Sequence, residues 1–424
     1  MRIGLDQLAD LRTKGTPRGI TSICSAHPVV LRAALRHGVA TGATVLIEAT
    51  CNQVNHRGGY TGMVPADFAA LVARIAAEEG CPMEQVILGG DHLGPNPWRD
   101  QPAEAALAEA EKMVESYVAA GFRKIHLDAS MGCLGEPVAL DDEATAKRAV
   151  RLAAVAERVA KDQGGDLPRY IIGTEGPPPG GADHALHEVP PTDPAAARKT
   201  IAVHRRMFAE AGLSDAMHRV IGVVVQPGVE FGNHNVIRYN RDRAQALAQV
   251  LKGEPALVFE AHSTDYQGTE PLSELVQDGF EILKVGPELT FVLREALYAL
   301  DLIASDLIPG YDDRPLRAAM ERVMLDTPAE WERHYPGSPA VQAVLRHYSL
   351  SDRIRYYWVQ PAAVTAVERL TAALQGQSVP MPLFWQHWPA AAGFADRPLD
   401  VEALLIWRVT QSLASYHAAC NLDL

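Results

Sequence analysis

The chain has 424 residues, 47% hydrophobic and 21% charged, so it can bury a sizeable core and is not a disordered segment. Lys and Arg total 39 against 52 Asp and Glu, and the net charge of −13 argues against nucleic acid or anionic lipid as a partner. No run reaches the roughly 18 uncharged apolar residues of a membrane span. The opening MRIGLDQLADLRTKG places Asp6 and Asp10 where a signal peptide needs an apolar core, so a cytoplasmic location is expected. Cys24, Cys51, Cys81, Cys133 and Cys420 are odd in number and show no CxxC spacing, which suggests neither a disulfide framework nor a cysteine zinc site.

Short, nearly continuous apolar runs alternate with longer helical patterns, as expected for parallel strands buried on both faces. Eight strands are predicted: Ile20–Cys24, Thr44–Ala49, Val86–Gly90, Lys124–Asp128, Tyr170–Thr174, Val220–Val225, Ala256–Glu260 and Ile282–Val285. Between them lie helix patterns beginning at Pro28, Pro65 and Ala103, several opened by Pro or Asp and stopped by Gly. Eight such units predict a (β/α)8 TIM barrel over residues 1–308. An open doubly wound sheet is the competing arrangement. It is disfavoured because no GxGxxG follows the first strand and polar residues stand at nearly every strand end. After Gly310 the composition shifts: five of the six Trp and six of the twelve Tyr fall there. Residues 309–424 are expected to be a helical extension whose aromatics, RIRYYW at Arg353 and LFWQHW at Leu383, pack on the barrel or a neighbouring subunit. A homo-oligomer is plausible on that ground.

In such a barrel the chemistry projects from the carboxyl ends of the strands. There stand Ser25, Glu48, Asn52, Asp91, His92, Asp128, Glu175, Gln226, Glu260, His262 and Lys284. Carboxylates and imidazoles buried together are costly unless paired or bound to metal. His92, Glu175, His234 and His262 can supply imidazoles and a carboxylate to one divalent cation and leave a position open for substrate oxygen. Asp91, adjacent to His92, is the candidate acid/base, with Asp128 and Glu175 beside it. Ser25, Glu48, Asn52, Arg57, Gln226, Glu260 and Lys284 are the candidate substrate contacts. Lys284 permits two other readings, a Schiff-base nucleophile or a structural ion pair with Glu260 or Asp128. The Gly-rich segments at His56 and Gly176, with Arg57, can present donors to a phosphate. No GxxxxGK[ST] sequence occurs, so nothing recommends a Walker-type ATP site.

Taken together, ICSAHP, LIEATCNQV, GGYTGM, ILGGDHLGPN, KIHLDASM, GTEGPPPGGA, VVQPGVEFG, EAHSTDYQ and ILKVGPELTF resemble the GatZ/KbaZ family over essentially the full chain. The family usually has Asn before the Pro of CSAHP, where this chain has His27, and often TEVPVPGG where this chain has TEGPPPGG. The resemblance extends to class II aldolases, and it implies zinc held by His92 and His262, Asp91 as acid/base, and Glu175 as a ligand or close neighbour. It also implies a phosphorylated ketohexose as substrate. Two functions follow from it: a D-tagatose 6-phosphate 4-epimerase working by retro-aldol and aldol steps at C3–C4, or a non-catalytic subunit that supports the catalytic chain of a class II D-tagatose-1,6-bisphosphate aldolase. Retention of the strand-end ligands favours the first, because a scaffold has no physical need of them.

Overall fold

A computed structural model describes residues 2–173 and 188–421. Strands β1 (Ile20–Cys24), β2 (Val45–Thr50), β3 (Val86–Leu93), β4 (Lys124–Leu127), β5 (Arg169–Ile172) and β6 (Val220–Val225) follow one another around a closed parallel barrel. A small hairpin, β7 (Glu230–Phe231) with β8 (Val236–Ile237), interrupts the series. Then β9 (Val258–Ala261) pairs with β6, and β10 (Ile282–Val285) closes the ring on β1 with Ile20 opposite Ile282 and Ile23 opposite Val285. The predicted (β/α)8 barrel is the fold found. Among the described residues no helix is long and apolar enough to cross a membrane.

Period-two alternation decides what the barrel holds. Val45, Ile47, Ile125, Phe259, Leu283 and Val285 face the surrounding helices and join the large core there. The residues between them face inward. At the amino-terminal end that interior is apolar: Ile20, Leu46, Val258 and Ile282 meet Ile3, Leu5 and Leu8, which plug the barrel floor. One layer up it becomes charged, with Glu48, Lys124, Glu260 and Lys284 all 5% exposed or less. Gly89 makes room for this layer, since a Cβ there would lie 2.7 Å from the Glu48 Cγ.

The segment after residue 309 is helical and shares the core that wraps the barrel. Its last helix, Val401–Cys420, packs on the helices Pro28–Thr41, Thr269–Gln277 and Pro287–Leu307. Tyr416 of that helix donates its hydroxyl to the Thr264 carbonyl at 2.7 Å, and Thr264 Oγ1 donates to the Lys284 carbonyl at 2.6 Å. The extension thus braces the loop that follows β9.

Candidate metal centre

The site begins with an irregularity in β3. Between Gly90 and Leu93 the strand carries one residue more than its partner β4 spans between Ile125 and Leu127, a bulge, and His92 takes φ 50° within it. In a regular strand Asp91 and His92 would point to opposite faces. The bulge turns both inward, and both are buried. From β4, His126 reaches the same place by ordinary alternation, and His262 arrives just past the end of β9. The ring centroids of His92 lie 4.9 Å from those of both His126 and His262. Asp91, His92, His126 and His262 each offer one ligand atom, all within 4.8 Å of one another.

The outer partners of these rings assign their protons. His92 Nδ1 lies 2.7 Å from the Asp128 carboxylate, His262 Nε2 lies 2.9 Å from Glu260 Oε1, and His126 Nε2 lies 3.0 Å from the Gly173 carbonyl. Those oxygens accept, so each of these nitrogens carries an N–H, and the other nitrogen of each ring is the one turned towards the cluster. A metal-ligating histidine is oriented in this way by the oxygen on its far side. His126 Nδ1 receives the His92 backbone N–H at 3.2 Å and faces Asp91 Oδ1 at 3.1 Å, an electron-rich contact that a cation would relieve.

Beneath the imidazoles runs a buried ion lattice. Lys124 Nζ stands 2.6 Å from Glu48 and 2.7 Å from Glu260, and Lys284 Nζ stands 2.6 Å from both Glu48 and Asp91. With Asp128 this makes four carboxylates against two ammonium groups, an excess that a divalent cation would neutralise. Burial by itself would raise the Asp91 carboxyl, but His92 and Lys284 hold it well below the usual carboxylate range. Burial opposes charge on His92 too, yet Asp91 and Asp128 carry its pKa above the ordinary value. His262 goes the other way, to about 4, because burial there outweighs Glu260. Burial would also strip Lys284 of its proton, but Asp91, Glu48 and Glu260 outweigh it and the ammonium is retained. Of the readings open for Lys284, the geometry is that of an ion pair, with Glu48 and Asp91 as near partners and Glu260 at 3.7 Å.

The cluster opens into a cleft of about 710 Å³, mouth included, lined also by Asn52, Gln53, Tyr60, Asp265, Arg355 and Tyr356. The other residues singled out from sequence lie elsewhere. Ser25 accepts the His27 N–H at 3.3 Å and faces a neighbouring apolar chamber. His27 itself caps the helix Pro28–Thr41, its Nδ1 accepting from Val29 N at 3.2 Å. Arg57 is exposed and paired with Glu109 at 2.6 Å, away from the cleft. Gln226 spends its side-chain oxygen on the N–H groups of Gly228 and Val229. His234 is exposed in the turn between β7 and β8, outside the cluster. Glu175 lies outside the described residues. Sequence reading passed over His126 and Lys124, although their alternation in KIHLD puts both on the inward face, and it gave Arg355 and Tyr356 only a packing role.

The family described as D-tagatose-1,6-bisphosphate aldolase subunit GatZ/KbaZ-like matches residues 5–421. A D-tagatose 6-phosphate 4-epimerase from Agrobacterium fabrum (strain C58 / ATCC 33970) is 59% identical over 418 residues, 98% of each chain. The crystal structure of a protein from Sinorhizobium meliloti 1021, named a probable tagatose 6 phosphate kinase, is 51% identical with a TM-score of 0.87, covering 95% of this chain and 100% of that one. The chain belongs to the GatZ/KbaZ-like family.

Proposed function

We propose that this protein is a metal-dependent D-tagatose 6-phosphate 4-epimerase working by reversible cleavage of the C3–C4 bond. The observation that carries the proposal is the convergence of His92, His126 and His262, each with one ring nitrogen turned away to an oxygen acceptor, beside Asp91 at the head of a cleft. The 59% identical relative of that name supports the choice of reaction.

The donor set fits a divalent cation of the zinc type, with His92, His126 and His262 as ligands. Glu175 remains a candidate from sequence for a further ligand, whereas His234, exposed and outside the cluster, does not. A bound cation would supply a Lewis acid for the oxygens of the enediolate. The chain's own groups do the rest. Asp91 is ionised and so starts as the base: it takes the proton of the C4 hydroxyl as C3–C4 breaks and returns it to the new C4 oxygen after re-addition. Asp128 and Glu260 fix the planes of His92 and His262. Lys284 and Lys124 hold Asp91, Glu48 and Glu260 in one arrangement, so the site does not reorganise during the reaction. Asn52 lines the cleft within reach of substrate hydroxyls. Rotation of the aldehyde before re-addition inverts C4.

A phosphoryl-transfer reading finds no Walker-type loop to support it. The test is to incubate the isolated protein with tagatose 6-phosphate, with and without chelator, and follow fructose 6-phosphate. Metal-dependent conversion is expected. No turnover in metal-replete protein, together with activation of a separate class II aldolase chain, would favour the supporting-subunit reading instead.

A further inference from the structure

The cleft has a second charged feature, contributed by the helical extension. Asp352, in a left-handed conformation at φ 45°, starts the turn Arg353–Tyr357 and is tied to the helix Pro287–Leu307 by the Thr290 hydroxyl at 2.6 Å and Arg294 at 3.5 Å. The turn therefore sits against the helix that leaves β10. On it, Arg355 Nη1 donates to the carbonyls of Ser351 and Asp352, and Nη2 donates to the Tyr356 hydroxyl at 3.1 Å. The guanidinium carbon lies 4.6 Å from the Tyr356 ring centroid, and that ring meets Tyr60 edge-on at 4.6 Å.

Among the described residues no carboxylate comes within ion-pair distance of Arg355, and the Nε–H with the second Nη2–H has no protein acceptor. Those two donors form the planar fork that matches an oxyanion. Lys284, the other cation lining the cleft, is committed to Glu48 and Asp91. A rigid guanidinium kept clear of carboxylates in a cleft that opens onto a metal centre has the chemistry of a phosphate anchor.

We infer that Arg355 binds the phosphate of the substrate and, granting the epimerase reading above, retains the aldehyde half between cleavage and re-addition. Breaking C3–C4 of tagatose 6-phosphate leaves carbons 1–3 as the dihydroxyacetone enediolate and carbons 4–6, with the phosphate, as glyceraldehyde 3-phosphate. The C4 hydroxyl proton leaves to the base and returns when the bond re-forms, so nothing is oxidised or reduced. The imidazole cluster addresses the first fragment. Arg355 holds the second, so that its carbonyl can turn about the anchored phosphate without the fragment escaping.

The experiment compares wild type with Arg355→Met and Arg355→Lys at equal metal content and equal melting temperature. Binding of inorganic phosphate alone, by calorimetry, is expected to weaken about 10- to 100-fold in Arg355→Met, the range for a charge-assisted bidentate contact, and less in Arg355→Lys. The KM for tagatose 6-phosphate should rise by a similar factor. The ratio of glyceraldehyde 3-phosphate released to fructose 6-phosphate formed should rise as well, read by a coupled dehydrogenase. If Arg355→Met does not fold, Arg355→Lys carries the comparison. Unchanged phosphate affinity, or a fall in kcat with no change in KM and no fragment release, would overturn the assignment. Arg355-dependent phosphate binding in a wild type that fails to turn over tagatose 6-phosphate would uphold the anion site and remove the epimerase reading.

Discussion

Glu281 stands at the foot of β10, fully buried, and among the described residues neither of its carboxylate oxygens has a hydrogen-bond partner. Burial pushes its pKa from the ordinary 4.5 to about 9, with Arg12 offsetting only part of the effect. The folded protein therefore holds Glu281 protonated at neutral pH while the unfolded chain ionises it. A group whose folded pKa is raised contributes stability that is fully present below the unfolded pKa and is lost as pH rises toward the folded one. Each pH unit inside that window removes about 1.4 kcal/mol, so wild type at pH 7 has lost about 3 kcal/mol of this contribution. Glu281→Gln keeps the shape and removes the titration. In urea denaturation at pH 6 and pH 8, the stability of the variant relative to wild type should improve by about 2.7 kcal/mol between the two values. Parallel pH profiles would refute the reasoning and would mean that the carboxylate is ionised with a partner in the fold.

Other substitutions test the lattice and the centre. Lys124→Met leaves Glu48 and Glu260 without their shared cation and should destabilise the fold by about 3–5 kcal/mol, against no loss if the lattice readjusts around Lys284. His92→Ala should lose bound metal by elemental analysis, and an active, metal-loaded variant would remove that ring from the centre. Asp91→Asn should keep metal but lose about 100- to 10,000-fold in kcat, the usual span for a positioned acid/base; wild-type turnover would assign the proton elsewhere. Borohydride with substrate should leave Lys284 unmodified, since its proton is held by Asp91, Glu48 and Glu260. A trapped adduct there would replace the metal mechanism with a Schiff base.

The barrel was legible because its strands are buried on both faces and read as unbroken apolar runs, with Ile20–Cys24, Val220–Val225 and Ile282–Val285 bounded as predicted. The hairpin of β7 and β8 was not predicted, since two residues per strand carry no periodicity. At the site, Asp91, His92, His262 and Lys284 were visible as strand-end residues, and the structure brings them together. The inward orientation of both Asp91 and His92 depends on a one-residue bulge, which no pattern of side chains announces. His126 was overlooked because the strand-end search took Asp128, the last residue of KIHLD, and passed over the inward-facing residue two positions before it. Arg355 joins the cleft from far along the chain through tertiary packing alone, and Arg57, a cation in a Gly-rich loop, instead turns outward to Glu109.

Cleavage and re-formation of C3–C4 leaves the hydrogen on C4 in place throughout, whereas deprotonation at C4 exchanges it with solvent. The decisive measurement is therefore turnover of tagatose 6-phosphate deuterated at C4 in ordinary water, with mass analysis of the fructose 6-phosphate formed. Full retention of deuterium at C4 is expected. Loss of the label to solvent would contradict a retro-aldol centre at Asp91 and the three imidazoles.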